Sequence, residues 1–286
     1  MNTQSNPYNY GILFILLAYL SFGILDTIQK TAVQYHSVFQ LLFIKYLFCL
    51  LFSFFIARKN KVKKFYISNN YKIQITRCIL STLESCFFVL SFRYLALADA
   101  HTIGSLSPVF VLVFSYILLK EKISLSTWIA IIISFMGVIL IMRPGISIFN
   151  PYLIIPLLAA FFYSLYQIAT RLNAEHDNKE TMLFYNGLIG SIITLIFSYF
   201  FWQPLHAFSF IFFIFVGLFF CTGLYLQIKA LSISPASILA PYHYSIIIWA
   251  ILFGFFVYNE IPDILTLLGA IIIVASGIFI FRYSKK

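Results

Sequence analysis

LLAYLSFGILDTIQK (residues 16–30) returns 141 residues later as LLAAFFYSLYQIATR (157–171). Both stretches open with Leu-Leu-Ala, both are apolar through the middle, and both end on a cation. A second correspondence lies further along the chain, where Glu121 of LLKEKISLSTW matches Glu260 of FVYNEIPDILTLL. We therefore expect the chain to contain two copies of one unit, and this repeat decides how the rest of the sequence is interpreted.

The composition indicates an integral membrane protein. The 286 residues are 62% hydrophobic and only 10% charged, with a mean hydropathy of +0.95. A soluble domain carries about 25% charged residues, so this chain has too few to cover a water-exposed surface. The formal net charge is +10. Because the basic residues fall at the ends of apolar runs, we expect them to orient the chain in a lipid bilayer and expect no nucleic-acid partner.

Apolar runs of helical length follow one another along the whole chain. A membrane-spanning helix needs about 20 mainly apolar residues. By this criterion the sequence predicts an all-α fold with ten transmembrane helices, at 10–31, 38–57, 73–95, 100–119, 124–142, 151–171, 181–201, 208–230, 236–258 and 263–282.

The placement of Lys and Arg predicts the orientation. With the N-terminus inside, fifteen of the nineteen basic residues fall on the cytoplasmic side, where such residues collect. Both termini are then cytoplasmic, in a cell inner membrane. The two units, 1–145 and 146–286, have five helices each, and an odd number forces them to enter the membrane from opposite sides. Such an inverted repeat is typical of secondary transporters, which bind substrate near the midplane between the halves.

The pattern resembles the drug/metabolite transporter superfamily, EamA type, over about residues 9 to 283. In both halves the glutamate-marked loop is followed by a similar helix, GVILIMR or SGIFIFR. Several stretches are also similar to the S-adenosylmethionine uptake transporters of intracellular bacteria, although riboflavin importers share some of them. These stretches are the Asp26–Lys30 spacing, FNP at 149–151, MLFY at 182–185, APYHY at 240–244, NEIPD at 259–263 and TLLGA at 266–270. The resemblance implies S-adenosylmethionine as substrate, with S-adenosylhomocysteine as a possible exchange partner.

Three ionisable residues are predicted to lie at membrane depth, where each costs about 2.5–3.5 kcal/mol on insertion scales. Asp26 either pairs with Lys30 one turn on or faces a site. Lys45 either pairs with a carboxylate on another helix or receives a substrate carboxylate. Glu84 has no basic residue within one helical turn, so it pairs across helices, is protonated, or faces a wet cavity where it binds a cation or carries a proton.

Polar groups interrupt two predicted helices. In ILAPYHYSIIIWA (238–250), a proline precedes Tyr242, His243 and Tyr244. Proline frees a backbone carbonyl, which a membrane tolerates only against protein or water. Ser105 stands at a comparable depth beside another proline. We expect these two segments to form walls of a binding site, with one of the two tyrosines facing it and His243 as a hydrogen-bonding group.

Helices six and eight carry further polar side chains that we assign to the site. Tyr163, Tyr166 and Gln167 of helix six share one helical face by their spacing, and helix eight contributes Tyr225 and Gln227. Most other aromatic residues are expected to pack helices or to face lipid.

Other functions leave no corresponding pattern. The sequence has no G-x-x-x-x-G-K-[ST] phosphate loop, no HExxH motif and no CxxC pair. We therefore expect a transporter of a small metabolite, with no enzymatic activity, no cofactor and no metal. The alternatives are a riboflavin importer, a proton-coupled exporter of amino acids or drugs with Glu84 as proton carrier, an integral-membrane enzyme, and a helix-packing subunit of a larger complex.

Overall fold

The computed structural model describes residues 7–119, 125–142, 150–204, 209–234 and 239–283. Within these ranges the chain forms eleven α-helices and two 3₁₀ turns, and it contains no strand. The prediction of an all-α fold is confirmed. Glu121, the predicted counterpart of Glu260, lies outside the described residues.

The helices follow the apolar runs closely. Their bounds are α1 Pro7–Ala32, α2 Val38–Lys59, α3 Tyr71–Ser91, α4 Leu97–Gly104, α5 Ser107–Leu119, α6 Leu125–Met142, α7 Ile154–Asn173, α8 Lys179–Phe200, α9 Ser209–Ile233, α10 Ser245–Tyr258 and α11 Ile264–Tyr283. The 3₁₀ turns are Pro151–Leu153, which leads into α7, and Ala240–Tyr244, which leads into α10.

Side-chain caps set the start of several helices. Ser37 Oγ accepts a hydrogen bond from the amide of Gln40 at 3.1 Å, at the start of α2. Asn70 and Asn178 cap α3 and α8 through their amide oxygens in the same way. These short polar residues satisfy amides that have no partner inside the helix, so the helices begin where the sequence offers them.

Two segments predicted as continuous helices are broken. The predicted helix 100–119 is divided at Ser105 and Leu106 into α4 and α5, and the segment before α10 winds as a 3₁₀ turn. Pro108 is the second residue of α5, a first-turn position that tolerates the missing amide. Proline cannot continue the hydrogen-bond ladder of the turn before it, so the helix stops there and begins again.

The structure is consistent with a protein buried in lipid. Seven of its segments are long and apolar enough to cross a membrane, and three shorter apolar helices accompany them in the described part of the chain. Large apolar side chains face outward, among them Phe55, Tyr199 and Ile261. A soluble monomer rarely exposes contiguous apolar patches beyond a few hundred Å², so this surface fits the interior of a bilayer.

Helices from the two halves pack in pairs: α2 on α8, α1 on α9, α3 on α7 and α6 on α11. Gly187 allows the α2–α8 contact, because a Cβ built there would overlap the backbone of Leu50. Gly137 and Gly269 serve α6 and α11 similarly, with 3.1 Å between a Cβ built on Gly137 and the carbonyl oxygen of Gly269. Close backbone approach at glycine is a common way for membrane helices to associate.

Candidate substrate site

A cavity lies at the centre of the molecule, between the two halves. About 90 Å³ of it is open to the centres of water-sized molecules, which is room for several ordered waters. Its walls come from α1, α2, α3, α4, α7, α9, α10 and the 3₁₀ turn before α10. The lining residues are Tyr19, Phe22, Leu25, Asp26, Gln29, Lys45, Ser81, Glu84, Ser85, Phe88, Val89, His101, Gly104, Ala159, Ala160, Tyr163, Tyr166, Phe220, Leu224, Gln227, His243 and Ile246.

One carboxylate of the cavity faces a histidine from another helix. Asp26 of α1 and His101 of α4 are both buried, and 3.3 Å separates Asp26 Oδ2 from His101 Nε2 without hydrogen-bond geometry. The structure therefore does not pair Asp26 with Lys30, which was one of the two sequence alternatives. Lys30 pairs instead with Glu260.

Lys45 and Glu84 are joined through a serine. Lys45 Nζ donates to Ser85 Oγ at 3.0 Å, and Ser85 Oγ donates to Glu84 Oε2 at 3.1 Å. Tyr46 donates to the same serine oxygen at 3.1 Å. The lysine ammonium also lies 4.4 Å from the centre of the Phe220 ring, a cation–π distance. Lys45 thus has no direct ion pair within the described residues, and its charge and that of Glu84 both remain available to a third group.

Aromatic rings and an amide form the wall contributed by α7, α9 and the 3₁₀ turn. Gln227 Nε2 donates to the hydroxyl of Tyr163 at 2.5 Å. The His243 ring lies between two tyrosines, with its centre 5.3 Å from that of Tyr163 and 5.0 Å from that of Tyr19. Tyr166 stands beside Tyr163, with 6.1 Å between ring centres. A flat, conjugated ligand group would find stacking partners here.

The structure brings seven of the twelve predicted site residues together around this cavity: Asp26, Lys45, Glu84, Tyr163, Tyr166, Gln227 and His243. They come from five helices and one 3₁₀ turn that are far apart in the sequence. Their convergence agrees with the expectation of a site between the halves, and their roles in binding stay predictions.

The other five predicted residues lie away from the cavity wall. Ser105 is buried and donates to the carbonyl of Thr102 at 2.5 Å, and the buried amide of Gln167 makes no bond to any residue that the structure describes. The ring of Tyr225 lies 5.9 Å from the ammonium of Lys179.

Tyr242 and Tyr244 also lie outside the lining. Tyr242 packs against a small apolar cluster that includes Ile15, and Tyr244 belongs to the main core. The 3₁₀ winding rotates successive side chains by about 120° in place of 100°, and it directs His243 into the cavity in place of its neighbours.

Sequence inspection missed several polar lining residues: Tyr19, Gln29, Ser81, Ser85 and His101. Ser81 precedes Glu84 by three residues and Ser85 by four, and this helical periodicity was a usable signal. Tyr19 and His101 gave no such signal in the sequence. Each is a single polar residue in an apolar run, and the direction in which its side chain points depends on how the helix packs.

Two sets of hydrogen bonds lie at opposite ends of the helices that line the cavity. At one end Glu260 Oε2 accepts from the amide of Leu97 at 3.0 Å, and Glu260 Oε1 accepts from Lys30. At the other end Asp177 binds the loop before α3, accepting from the hydroxyl of Ser68 at 2.5 Å and from the amide of Asn69 at 2.7 Å. Each set joins the first half of the chain to the second.

The sequence was also compared with known proteins. The model of the EamA-like transporter family matches twice, at residues 9–143 and 150–282. The chain belongs to the EamA-like transporter family. This confirms the resemblance seen in the sequence, and it makes the chain a multi-pass membrane protein of a transporter family. No cluster of three or more His, Cys, Asp or Glu suited to a metal ion lies within the described residues of this transporter.

Its relatives include transporters of several solutes. An S-adenosylmethionine uptake transporter of Rickettsia prowazekii is 25% identical and aligns with 100% of this chain and 97% of its own length. A riboflavin transporter of Vibrio cholerae is 29% identical over 63% of this chain and 61% of its own. A pseudopaline exporter of Pseudomonas aeruginosa is 24% identical over 96% and 97%. One solved crystal structure, 14% identical, superposes with a TM-score of 0.72 over 96% of both chains.

Proposed function

We propose that the chain is a secondary transporter of ten membrane-spanning segments that takes up S-adenosylmethionine by alternating access. The observation that carries this is the central cavity, in which Asp26, Glu84 and Lys45 face a wall of tyrosines between the two halves. The seven long spans and three shorter apolar helices support ten segments. The two family matches support the halves 1–145 and 146–286.

The pattern of helix contacts supports an inverted repeat. In chain order, α1, α2, α3, the α4–α5 pair and α6 correspond to α7, α8, α9, the turn with α10, and α11. Under this correspondence the contact of α1 with α9 is equivalent to the contact of α7 with α3. Both contacts are present in the structure. It also maps the α2–α8 and α6–α11 contacts onto themselves, as a two-fold axis between the halves requires.

Two hydrogen bonds, one in each half of the chain, also follow this correspondence between the halves. Lys30 Nζ, at the end of α1, donates to the carbonyl of Leu95 at 3.2 Å. Arg171 Nη1, at the end of α7, donates to the carbonyl of Leu231, also at 3.2 Å. The cations at the ends of the two repeated stretches thus make equivalent contacts in the two halves.

The charge distribution supports a cytoplasmic location for both termini. With this orientation the Asp177 contacts lie at the cytoplasmic end of the cavity and the Lys30–Glu260 pair lies at the outer end. Entry of substrate from either side then requires the contacts at that end to break, as in alternating access.

The chemistry of the cavity suits S-adenosylmethionine, which combines an adenine ring with ammonium, sulfonium and carboxylate groups. Carboxylates of Asp26 and Glu84 would bind the cationic groups, and Lys45 would bind the carboxylate. Tyr163 and Tyr166 would stack on adenine. The full-length similarity to the Rickettsia uptake transporters points to the same substrate. A solute with net positive charge also gains about 2.3 kcal/mol per 100 mV on entering a negative interior.

Riboflavin is the second candidate, because the aromatic wall would also stack on a flavin and one relative is a riboflavin transporter. Charge separates the two solutes, since neutral riboflavin needs no carboxylate partner.

Uptake of radiolabelled S-adenosylmethionine and radiolabelled riboflavin by bacteria that express the chain, with empty-vector cells as the control, tests the proposal. We expect saturable uptake of S-adenosylmethionine that S-adenosylhomocysteine inhibits and riboflavin does not. Uptake of riboflavin alone would favour the second candidate. Uptake of neither, with the protein present in the membrane, would contradict both.

A further inference from the structure

A second cleft lies on the opposite side of α3 from the central cavity. It is bounded by α2, α3, α8 and the segment that follows α8, and about 640 Å³ of it is open to the centres of water-sized molecules. Its walls are mainly apolar. They comprise Ser37, Val38, Phe39, Ile79, Thr82, Leu83, Cys86, Phe87, Leu90, Arg93, Ile193, Thr194, Phe197, Phe201, Trp202 and Gln203.

The cleft faces the bilayer and has the length of one leaflet. Ile79 and Phe197 on its walls are 40% and 47% exposed, so it is open sideways. Along α3 it runs from Ile79 to Leu90, about 17 Å at 1.5 Å per residue. Half of a hydrocarbon core about 30 Å thick is about 15 Å. An acyl chain of one leaflet therefore matches the cleft from end to end.

One end of the cleft is polar and positively charged. Arg93 is exposed there, and its guanidinium is held in place by donating from Nη2 to the carbonyl of His36 at 2.9 Å and from Nε to the carbonyl of Val33 at 3.3 Å. Its Nη1 makes no bond to any residue that the structure describes. Trp202, half exposed, lies beside it, as tryptophan does at the level of lipid headgroups.

We propose that this cleft binds one phospholipid, with an acyl chain along α3 and the phosphate on Arg93. A phosphate oxygen is the acceptor that a fixed guanidinium with a remaining N–H donor binds well. The bilayer supplies this ligand at the open side of the cleft. The site is distinct from the one that carries the proposed transport function.

A bound lipid would act on transport through α3. This helix presents Ile79, Leu83 and Leu90 to the cleft, and it presents Glu84 and Ser85 to the central cavity. A lipid that fills the cleft packs against the side of α3 that faces away from the central cavity. It thereby fixes the position of the Glu84 carboxylate in the cavity. Its removal leaves this side of α3 facing an open cleft between α2 and α8.

Trp202 provides a direct test, because the chain has only three tryptophans. In the purified full chain with Trp128→Phe and Trp249→Phe, Trp202 fluorescence is titrated with brominated phosphatidylglycerol and with brominated phosphatidylcholine in liposomes. We expect brominated phosphatidylglycerol to quench Trp202 at a mole fraction about fivefold lower than brominated phosphatidylcholine does. This ratio corresponds to about 1 kcal/mol for the attraction of one arginine to anionic lipid at the membrane surface. Arg93→Gln should abolish this preference and Arg93→Lys should keep most of it.

The matched control is Lys72→Gln, which removes a cation from the opposite end of the same helix and should leave the preference unchanged. Equal quenching by the two lipids in the parent protein would overturn the proposal, as would a preference that persists in Arg93→Gln. The parent measurement decides even if a variant fails to fold. Neither result depends on the identity of the transported solute.

Discussion

Lys30 of α1 and Glu260, which follows α10, form an ion pair that joins the two halves of the protein at one membrane face. The two side chains are 9% and 25% exposed, so solvent screens the pair only in part. Tyr258 closes the same end, because its hydroxyl lies 2.6 Å from that of Thr31 and its ring lies 5.0 Å from the lysine ammonium. Opening of this end requires these contacts to break.

Neutralising the acid should open this end of the cavity more often. A partly exposed ion pair contributes about 1 kcal/mol, which corresponds to about fivefold in the open fraction. We expect Glu260→Gln to raise by about fivefold the rate at which a membrane-impermeant maleimide modifies Gln29→Cys, in a background without the four native cysteines. Glu175→Gln, an exposed residue near the opposite end, is the control. A rate equal to that of the parent protein would show that the pair does not hold the cavity closed.

Glu84 should decide between cationic and neutral solutes. A hydrogen bond to a charged group contributes about 1.5–3 kcal/mol, so Glu84→Gln should lower S-adenosylmethionine uptake by about 10- to 100-fold. The change keeps the size and shape of the side chain, removes its charge and replaces one acceptor oxygen by an NH₂ donor. Competition binding to purified protein separates lost affinity from lost turnover. Glu175→Gln is again the control, and uptake that Glu84→Gln leaves intact would remove the carboxylate from the binding model.

Ser85 should be important for stability as well as for binding. Its hydroxyl oxygen accepts from Lys45 and Tyr46, and Tyr46 also has the carbonyl of Ser81 as an acceptor. Ser85→Ala therefore leaves the buried Lys45 ammonium without a hydrogen-bond acceptor among the described residues. Each unsatisfied buried group costs about 1–3 kcal/mol. We expect a lower thermal unfolding temperature and weaker binding. Ser53→Ala is the matched control, because that buried hydroxyl only donates within α2, to the carbonyl of Leu50. Similar unfolding temperatures for the two variants would contradict the assigned role.

The hydroxyl and the ring of Tyr163 should contribute separately. Tyr163→Phe removes the hydrogen bond from Gln227 and keeps the stacking surface, so we expect affinity to fall by about fivefold, the effect of about 1 kcal/mol. Tyr163→Leu should lower it further, since stacking is also lost. Tyr225→Phe is the control, because that ring lies outside the cavity lining. These changes in affinity are measured by comparing binding isotherms of the three variants with that of the parent protein. Equal losses for Tyr163→Phe and Tyr225→Phe would contradict the placement of the site.

Gly187 should tolerate no side chain. A Cβ there would overlap the backbone of Leu50, and overpacking of a core costs about 1–3 kcal/mol. We expect Gly187→Ala to lower the thermal unfolding temperature and the yield of folded protein. Gly254→Ala is the comparison, since a Cβ at that position meets nothing nearer than 3.7 Å. Equal stability of the two variants would show that α2 and α8 can separate at little cost.

Much of this architecture was predictable from the sequence, because the bilayer imposes a strict rule on the chain. Backbone groups cannot stay unpaired in hydrocarbon, so each long apolar run had to be helical. The start of α2 at Val38 was predicted to the residue, and the end of α1 was predicted to within one residue. Glu84 was recognisable as a candidate because a carboxylate in such a run is costly.

The partners of these residues were not predictable. Asp26 was one turn from Lys30 in sequence, yet it faces His101 across to α4, and Lys30 reaches Glu260. A periodic pattern states which residues share a helical face, but the rotation of each helix is determined by how it packs on its neighbours. The 3₁₀ winding that directs His243 inward was also not predicted, because this segment was expected to continue as an α-helix.

The sequence by itself determined that the chain is helical and that it belongs in a membrane, and it predicted two related halves, because hydrophobicity and repeat length are properties of the chain alone. Only the tertiary structure decided which polar groups share the central cavity, which ion pair closes its end and which cleft opens to lipid. Those features depend on the relative rotation of helices far apart in sequence. Close contacts such as that of Gly187 with Leu50 fix that rotation.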